Sequence, residues 1–236
     1  MTKVASSRTP IERDRDPSRA RVVELCMLRA LLWDHDGVMV DTEGLYYQAT
    51  REALASRGVE LTPDGYRALF LVEGQGAFHL VREQGASDAE IEALRQWRNQ
   101  RYMELLTEGD VVLPGVEPLL ARLARRYRMA IVTSSQRQHF ERIHLQSGIP
   151  RHFELVLTRE AYTHSKPNPE PYLTALSRLG LSADECLVIE DSERGLRAAK
   201  AAGLCCWVVP SGLTSGSRFE QADRVFPDLG RLAATL

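Results

Sequence analysis

Long apolar runs are missing from this 236-residue chain; none approaches the roughly 18 to 20 residues a membrane helix requires, so a soluble protein is expected. Cysteine is scarce: Cys26, Cys186, Cys205 and Cys206 make no CxxC pair. A chain of this length buries a substantial core without disulfides, and the last three cysteines lie in apolar stretches where a reduced thiol packs as a small hydrophobe. A cytoplasmic, monomeric protein is expected. An excess of charge of one sign is also missing, since 30 Lys and Arg face 32 Asp and Glu for a net charge of -2. That gives no electrostatic reason to expect nucleic acid or an acidic membrane as partner, so a phosphate ligand would need a local site.

The first stretch, MTKVASSRTPIERDRDPSRARVVELC, mixes both charge signs with Pro and Ser. It has no apolar signal core and too many acidic residues for a transit peptide. A disordered tail is expected over 1–27, and Met27, directly before the first strand-like run, is a candidate alternative start.

Beyond the tail, RALLW, MAIVT, CLVIE and LCCWVV read as strands buried on both faces, with ELVLT and DRVF as further short strands. Between them GVEPLLARLARRY, SQRQHFERIHLQSG, NPEPYLTALSRLG and SERGLRAAKAAG have helical spacing, several closed by Gly. Strand alternating with helix predicts an α/β fold: a doubly wound, Rossmann-like parallel sheet. One interval breaks the alternation. Residues 44–112 are rich in Ala, Leu, Glu, Arg and Gln at helical spacing, predicting an all-helical insertion, or cap, in a core formed by 28–43 and 113–236.

In open α/β sheets ligands bind beyond the carboxyl ends of the strands. Asp34 and Asp36 follow the first strand, Thr133 and Ser134 the second, and Glu190 and Asp191 the CLVIE strand, with Lys166 in SKPNPEP between. Taken singly, each has a plain alternative: Asp34 and Asp36 as loop residues, Thr133, Ser134 and Asp191 as helix caps, Lys166 as a surface lysine. The histidines at 139, 144, 152 and 164 show no zinc spacing and read as surface or structural residues. Trp97 and Trp207 read as packing residues.

Together the segments DHDGVMVD, AIVTSS, KPNP and EDSERG resemble, in order and spacing, the four motifs of the haloacid dehalogenase-like hydrolase superfamily. The resemblance implies a Mg²⁺-dependent phosphatase working through an aspartyl-phosphate. It makes Asp34 the nucleophile and Asp36 the general acid and base, an acid whose pKa neighbouring carboxylates would raise. It implies Mg²⁺ held by Asp34, the Asp36 carbonyl and Asp191 with Glu190 close by, and phosphate held by Thr133, Ser134 and Lys166. If extended geometry runs through Asp36, His35 points away from both aspartates; the superfamily usually has an apolar residue there.

VDTE after the first motif and AAKAAG after the last are similar to the phosphatase and β-phosphoglucomutase-like subgroup, whose members act on small phosphorylated metabolites such as sugar phosphates and phosphoglycolate. Tyr46 stands where the mutases carry a histidine, and LFLVEGQG lacks their cap arginine, which favours a phosphatase over a mutase. Retention of the carboxylates argues against a non-catalytic binding module on the same fold. Glu43, Gln75 and Arg98, with Glu73 and His79, are candidate substrate contacts from the cap.

Overall fold

The computed structural model describes residues 27–236; apart from Met27, the expected tail lies outside them. Each predicted strand forms: β1 (Ala30–Trp33), β2 (Arg128–Val132), β3 (Leu155–Leu157), β4 (Cys186–Glu190), β5 (Cys205–Val208) and β6 (Arg224–Val225). They pair in parallel in the order β3-β2-β1-β4-β5-β6. The order reverses at β1, so the crevice such a reversal opens lies at the carboxyl ends of β1 and its two neighbours.

Between β1 and β2 the chain makes α1 (Glu43–Ala55), α2 (Pro63–Tyr66), α3 (His79–Glu83) and α4 (Asp88–Leu105). They pack around their own apolar cluster, with Leu54, Leu61, Tyr66, Val81 and Ile91 among its buried members. The stretch DGYRALFLV does not continue as an α-helix. After α2, Arg67–Val72 widens to a π-helical turn in which Glu73 N–H reaches Ala68 O, five residues back, at 2.9 Å. α4 opens on a capping box between Ser87 and Glu90. The two passages joining this unit to the sheet run side by side: Asp41 N–H bonds Val111 O at 2.8 Å and Leu113 N–H bonds Met39 O at 3.0 Å.

The remaining helices are α5 (Val116–Leu123), α6 (Arg137–Ile143), α7 (Glu170–Leu179), α8 (Glu193–Ala201) and α9 (Leu229–Ala233). Strand side chains alternate between faces. Leu31, Trp33, Met129, Ile131, Leu187 and Ile189 pack with α5, α6 and α9 on one face. Ala30, Leu32, Ala130, Val132 and Val188 pack with α7 and α8 on the other. This two-sided burial is why these strands show no polar alternation. Trp207 packs on Phe226, with ring centroids 5.1 Å apart. Trp97 departs from the packing expectation: it is 47% exposed, on the outer face of α4. Among the described residues no helix is long and apolar enough to cross a membrane.

Candidate active site

Parallel register brings together residues far apart in sequence. Trp33 pairs with Ile131 on one side and Ile189 on the other, so Asp34 emerges beside the ends of β2 and β4. Its N–H bonds Ile189 O at 2.9 Å, and Glu190 is the last residue of β4. Lys166, only 2% exposed, closes the group. Its Nζ donates to Asp34 Oδ1 at 2.6 Å, Glu190 Oε1 at 2.7 Å and Val132 O at 2.8 Å, and lies 4.9 Å from the Tyr172 ring centroid. Three donor protons thus meet three acceptors, which offsets the cost of burying a cation.

The carboxylates respond unequally. Burial and then Glu190 push Asp34 up to about 7, against the pull of Lys166. Asp191 is raised well above the usual range by burial, Asp34 and Glu190. Burial also works to raise Glu190, but Lys166 and the Tyr172 hydroxyl, at 2.6 Å, prevail and lower it. Mutual repulsion in a buried site is what a cation would relieve. Asp34, Glu190 and Asp191 are buried and offer oxygens within 4.8 Å of one another, a hard-donor set that fits Mg²⁺. Both Glu190 oxygens already accept bonds, Oε1 from Lys166 and Tyr172, Oε2 from Ser192 Oγ at 3.1 Å and the Asp191 N–H at 3.2 Å. Asp34 and Asp191 are therefore the freer side chains for an ion.

Asp36 differs from expectation in two ways. β1 ends at Trp33, and the His35 carbonyl accepts N–H groups of Val38, Met39 and Val40 in a tight turn, so strand alternation does not extend to this segment. His35 consequently does not point away: its Nδ1 lies 3.2 Å from Asp36 Oδ2. Thr42 donates to Oδ1 at 2.6 Å and Thr133 to Oδ2 at 3.1 Å. Burial works to raise the Asp36 carboxyl, but His35 and the two hydroxyls outweigh it and hold it well below the usual carboxylate range, not above it. The neighbours that matter are an imidazole and hydroxyls rather than carboxylates.

A cavity of about 540 Å³ separates this end of the sheet from the helical insertion. Asp36, Ser134 and Arg194 line it on one side, and Glu43, Gln75 and Arg98 on the other. His79 is also on the wall, whereas Glu73 is not. Arg98 is buried, with its guanidinium 4.5 Å from the Tyr46 ring centroid and Nε donating to Asn99 at 2.9 Å. Glu43 accepts a bond from the Tyr66 hydroxyl, and burial raises its pKa despite Arg194.

The motif pattern and this geometry are joined by comparison with known proteins, in which residues 31–209 match the family described as haloacid dehalogenase-like hydrolase. The chain belongs to that family. Protein CbbY of Rhodobacter capsulatus is 35% identical over 218 residues, covering 87% of this chain and 96% of the relative. The phosphorylated carbohydrates phosphatase of Thermotoga maritima is 31% identical over 183 residues, covering 75% and 82%. A crystal structure of mutant CbbY from Rhodobacter sphaeroides in complex with xylulose-(1,5)-bisphosphate shares 27% identity and a TM-score of 0.73, covering 85% of this chain and 94% of that one.

Two glycines of this haloacid dehalogenase-like hydrolase show why its motifs need them. Gly37 has φ +82°, and a Cβ there would stand 2.0 Å from Asp191 Oδ2. A Cβ on Gly195 would stand 2.0 Å from the Glu190 carboxyl. Other residues escaped the sequence reading. Ser211 Oγ donates to Gly37 O at 2.7 Å, and Thr214 Oγ1 to Asp191 Oδ2 at 3.3 Å; both follow β5, where the strand-end rule would have found them. Arg194 occupies a variable position of EDSERG, and its Nε has no hydrogen-bond partner among the described residues. Tyr172, on α7, had no local signal.

Proposed function

We propose that this protein is a Mg²⁺-dependent phosphatase that removes phosphate from a small phosphorylated sugar or related metabolite through an aspartyl-phosphate on Asp34. The observation that carries the reading is the buried Lys166 bridge between Asp34 and Glu190 beside Asp191, at the point where the strand order reverses. Lys166 fixes one oxygen of Asp34 and leaves the other to attack phosphorus, displacing the alcohol. Asp36 gives its proton to the departing oxygen, then takes one from the water that cleaves the acyl phosphate, so its proton is restored each cycle. A phosphate dianion nearby raises the Asp36 pKa from its low resting position toward the acid form. Mg²⁺ on Asp34, Asp191 and the Asp36 carbonyl would supply the charge that lets one anion approach another. Ser134 at the cavity wall and Thr133 beside Asp36 complete the phosphate cradle.

The cavity supports an anionic, polar substrate. Arg98 and Arg194 line it with Glu43 and Gln75, a mixture suited to a phosphorylated polyol. The relatives' names agree, one a phosphatase of phosphorylated carbohydrates and one solved with a sugar bisphosphate. The test is release of inorganic phosphate from a panel of sugar phosphates, sugar bisphosphates and phosphoglycolate, with Mg²⁺ and with chelator. Asp34→Asn should abolish turnover. Full activity in that variant refutes the nucleophile, and isomerised sugar phosphate without phosphate release would make the protein a mutase.

A further inference from the structure

His35 stands where an apolar side chain would satisfy packing, and what it touches is not explained by packing. Its ring is fully buried, with Nδ1 on Asp36 and Nε2 only 2.7 Å from His144 Nε2. His144, just past α6, continues the contact: its Nδ1 lies 2.6 Å from Ser147 Oγ, which also accepts the Ile149 N–H at 3.4 Å. Phe140 lies against both imidazoles, with ring centroids 5.1 and 4.6 Å away. Three polar side chains from two distant segments thus form one continuous line ending on the Asp36 carboxylate.

We propose that Ser147, His144 and His35 are positioning residues for Asp36, joined in a continuous hydrogen-bond chain that orients its carboxylate. The inference rests on the reading of Asp36 as general acid and base. An ionised carboxylate only accepts, so His35 turns its Nδ1–H to Asp36. The 2.7 Å contact holds one proton between the two Nε2 atoms, so the protonation of one ring fixes that of the other. His144 Nδ1 shares a further proton with the Ser147 hydroxyl at 2.6 Å. Each bond thereby depends on the next, and bonds joined in this way polarise one another. An apolar pair would pack against Phe140 equally well, because satisfied buried polar pairs add little net stability. It would leave the Asp36 carboxylate without the His35 donor that the chain holds in place. A ring turned away from this line would withdraw its N–H from the carboxylate and free Asp36 to move.

The experiment uses the full chain with Mg²⁺ and two probes, phenyl phosphate, whose leaving oxygen needs a proton, and p-nitrophenyl phosphate, which needs one far less. His144→Phe keeps the packing and removes the chain. It should lower kcat/KM about tenfold on phenyl phosphate, the worth of one hydrogen bond expressed only in the transition state, with a clearly smaller loss on p-nitrophenyl phosphate. His144→Gln, whose amide can donate at the Nε2 position, should recover most of the loss. Nitrogen-15 NMR of the imidazoles should show His35 protonated at Nδ1 and a single proton shared across the Nε2–Nε2 contact. Unchanged activity in His144→Phe, equal losses on both esters, no rescue by Gln, or a His35 without a proton on Nδ1 would each overturn the chain. Asp36→Asn runs in parallel: if it retains turnover, the acid–base reading fails and the inference with it. If Asp36→Asn is inactive while His144→Phe is unaffected, only the chain fails.

Discussion

Replacing Asp34 by Asn should make the metal-free protein more stable while removing its activity. The carboxyl is buried beside Glu190 and Asp191 and is pushed from 3.8 to about 7 despite its bond to Lys166. A group that binds its proton more tightly folded than unfolded favours folding below about pH 4, and that contribution is lost as the pH rises through about 7. At pH 8 the displacement corresponds to about 4 kcal/mol held against the ionised form. Asn resembles the protonated acid and keeps an oxygen for Lys166, so Asp34→Asn escapes this penalty. Relaxation around the site returns part of it in the native protein. An advantage of ~2 kcal/mol, or about 4–8 °C in Tm, is therefore expected for the variant. The assay is thermal unfolding followed by circular dichroism in chelator at pH 8 and pH 5. The gap should shrink toward pH 5, where Asp34 is mostly protonated in the folded protein. Adding Mg²⁺ should raise Tm of the native protein more than that of Asp34→Asn, since the ion relieves the same repulsion. An Asn variant no more stable at pH 8, or a gap independent of pH, would refute the reasoning.

Other perturbations probe neighbouring parts of the site. Lys166→Met leaves Asp34 and Glu190 without their shared cation and should cost about 3–5 kcal/mol in chemical denaturation and nearly all phosphatase turnover. Gly195→Ala drives a methyl into the Glu190 carboxyl and should lower both Tm and the apparent affinity for Mg²⁺ in titration calorimetry, whereas Ala at Gly216, where a Cβ meets nothing within 4 Å, should leave both near native. Arg98→Met keeps bulk against Tyr46 but removes charge from the cavity wall. It should raise KM about tenfold for a doubly phosphorylated sugar with little change in kcat, measured by steady-state phosphate release.

Much of the architecture was legible because its cause is local. A strand buried on both faces must be apolar throughout, so ALLW and CLVIE announce themselves. The same holds for Asp34, Thr133 and Glu190, which stand where such runs end. Trp97 misled because a large apolar residue need not be inside, and the environment of Asp36 misled because the strand stops at Trp33 and the chain turns. Arg194, Tyr172, Ser211 and Thr214 left no mark beyond their position, since each acts through a residue distant in sequence.

By itself the sequence determined the alternation of strand and helix, the order of the motifs and the helical interruption, all set by periodicity and by residue type at strand ends. Only the tertiary structure decided how similar carboxyls behave. Parallel register stacks Asp34, Glu190 and Asp191 in a buried site, where burial and mutual repulsion raise two and Lys166 lowers the third. Asp36, two residues from Asp34, is pulled the other way by an imidazole and two hydroxyls. Charge depends on what lies within a few ångströms, and around Asp34 those neighbours are gathered from segments more than a hundred residues away.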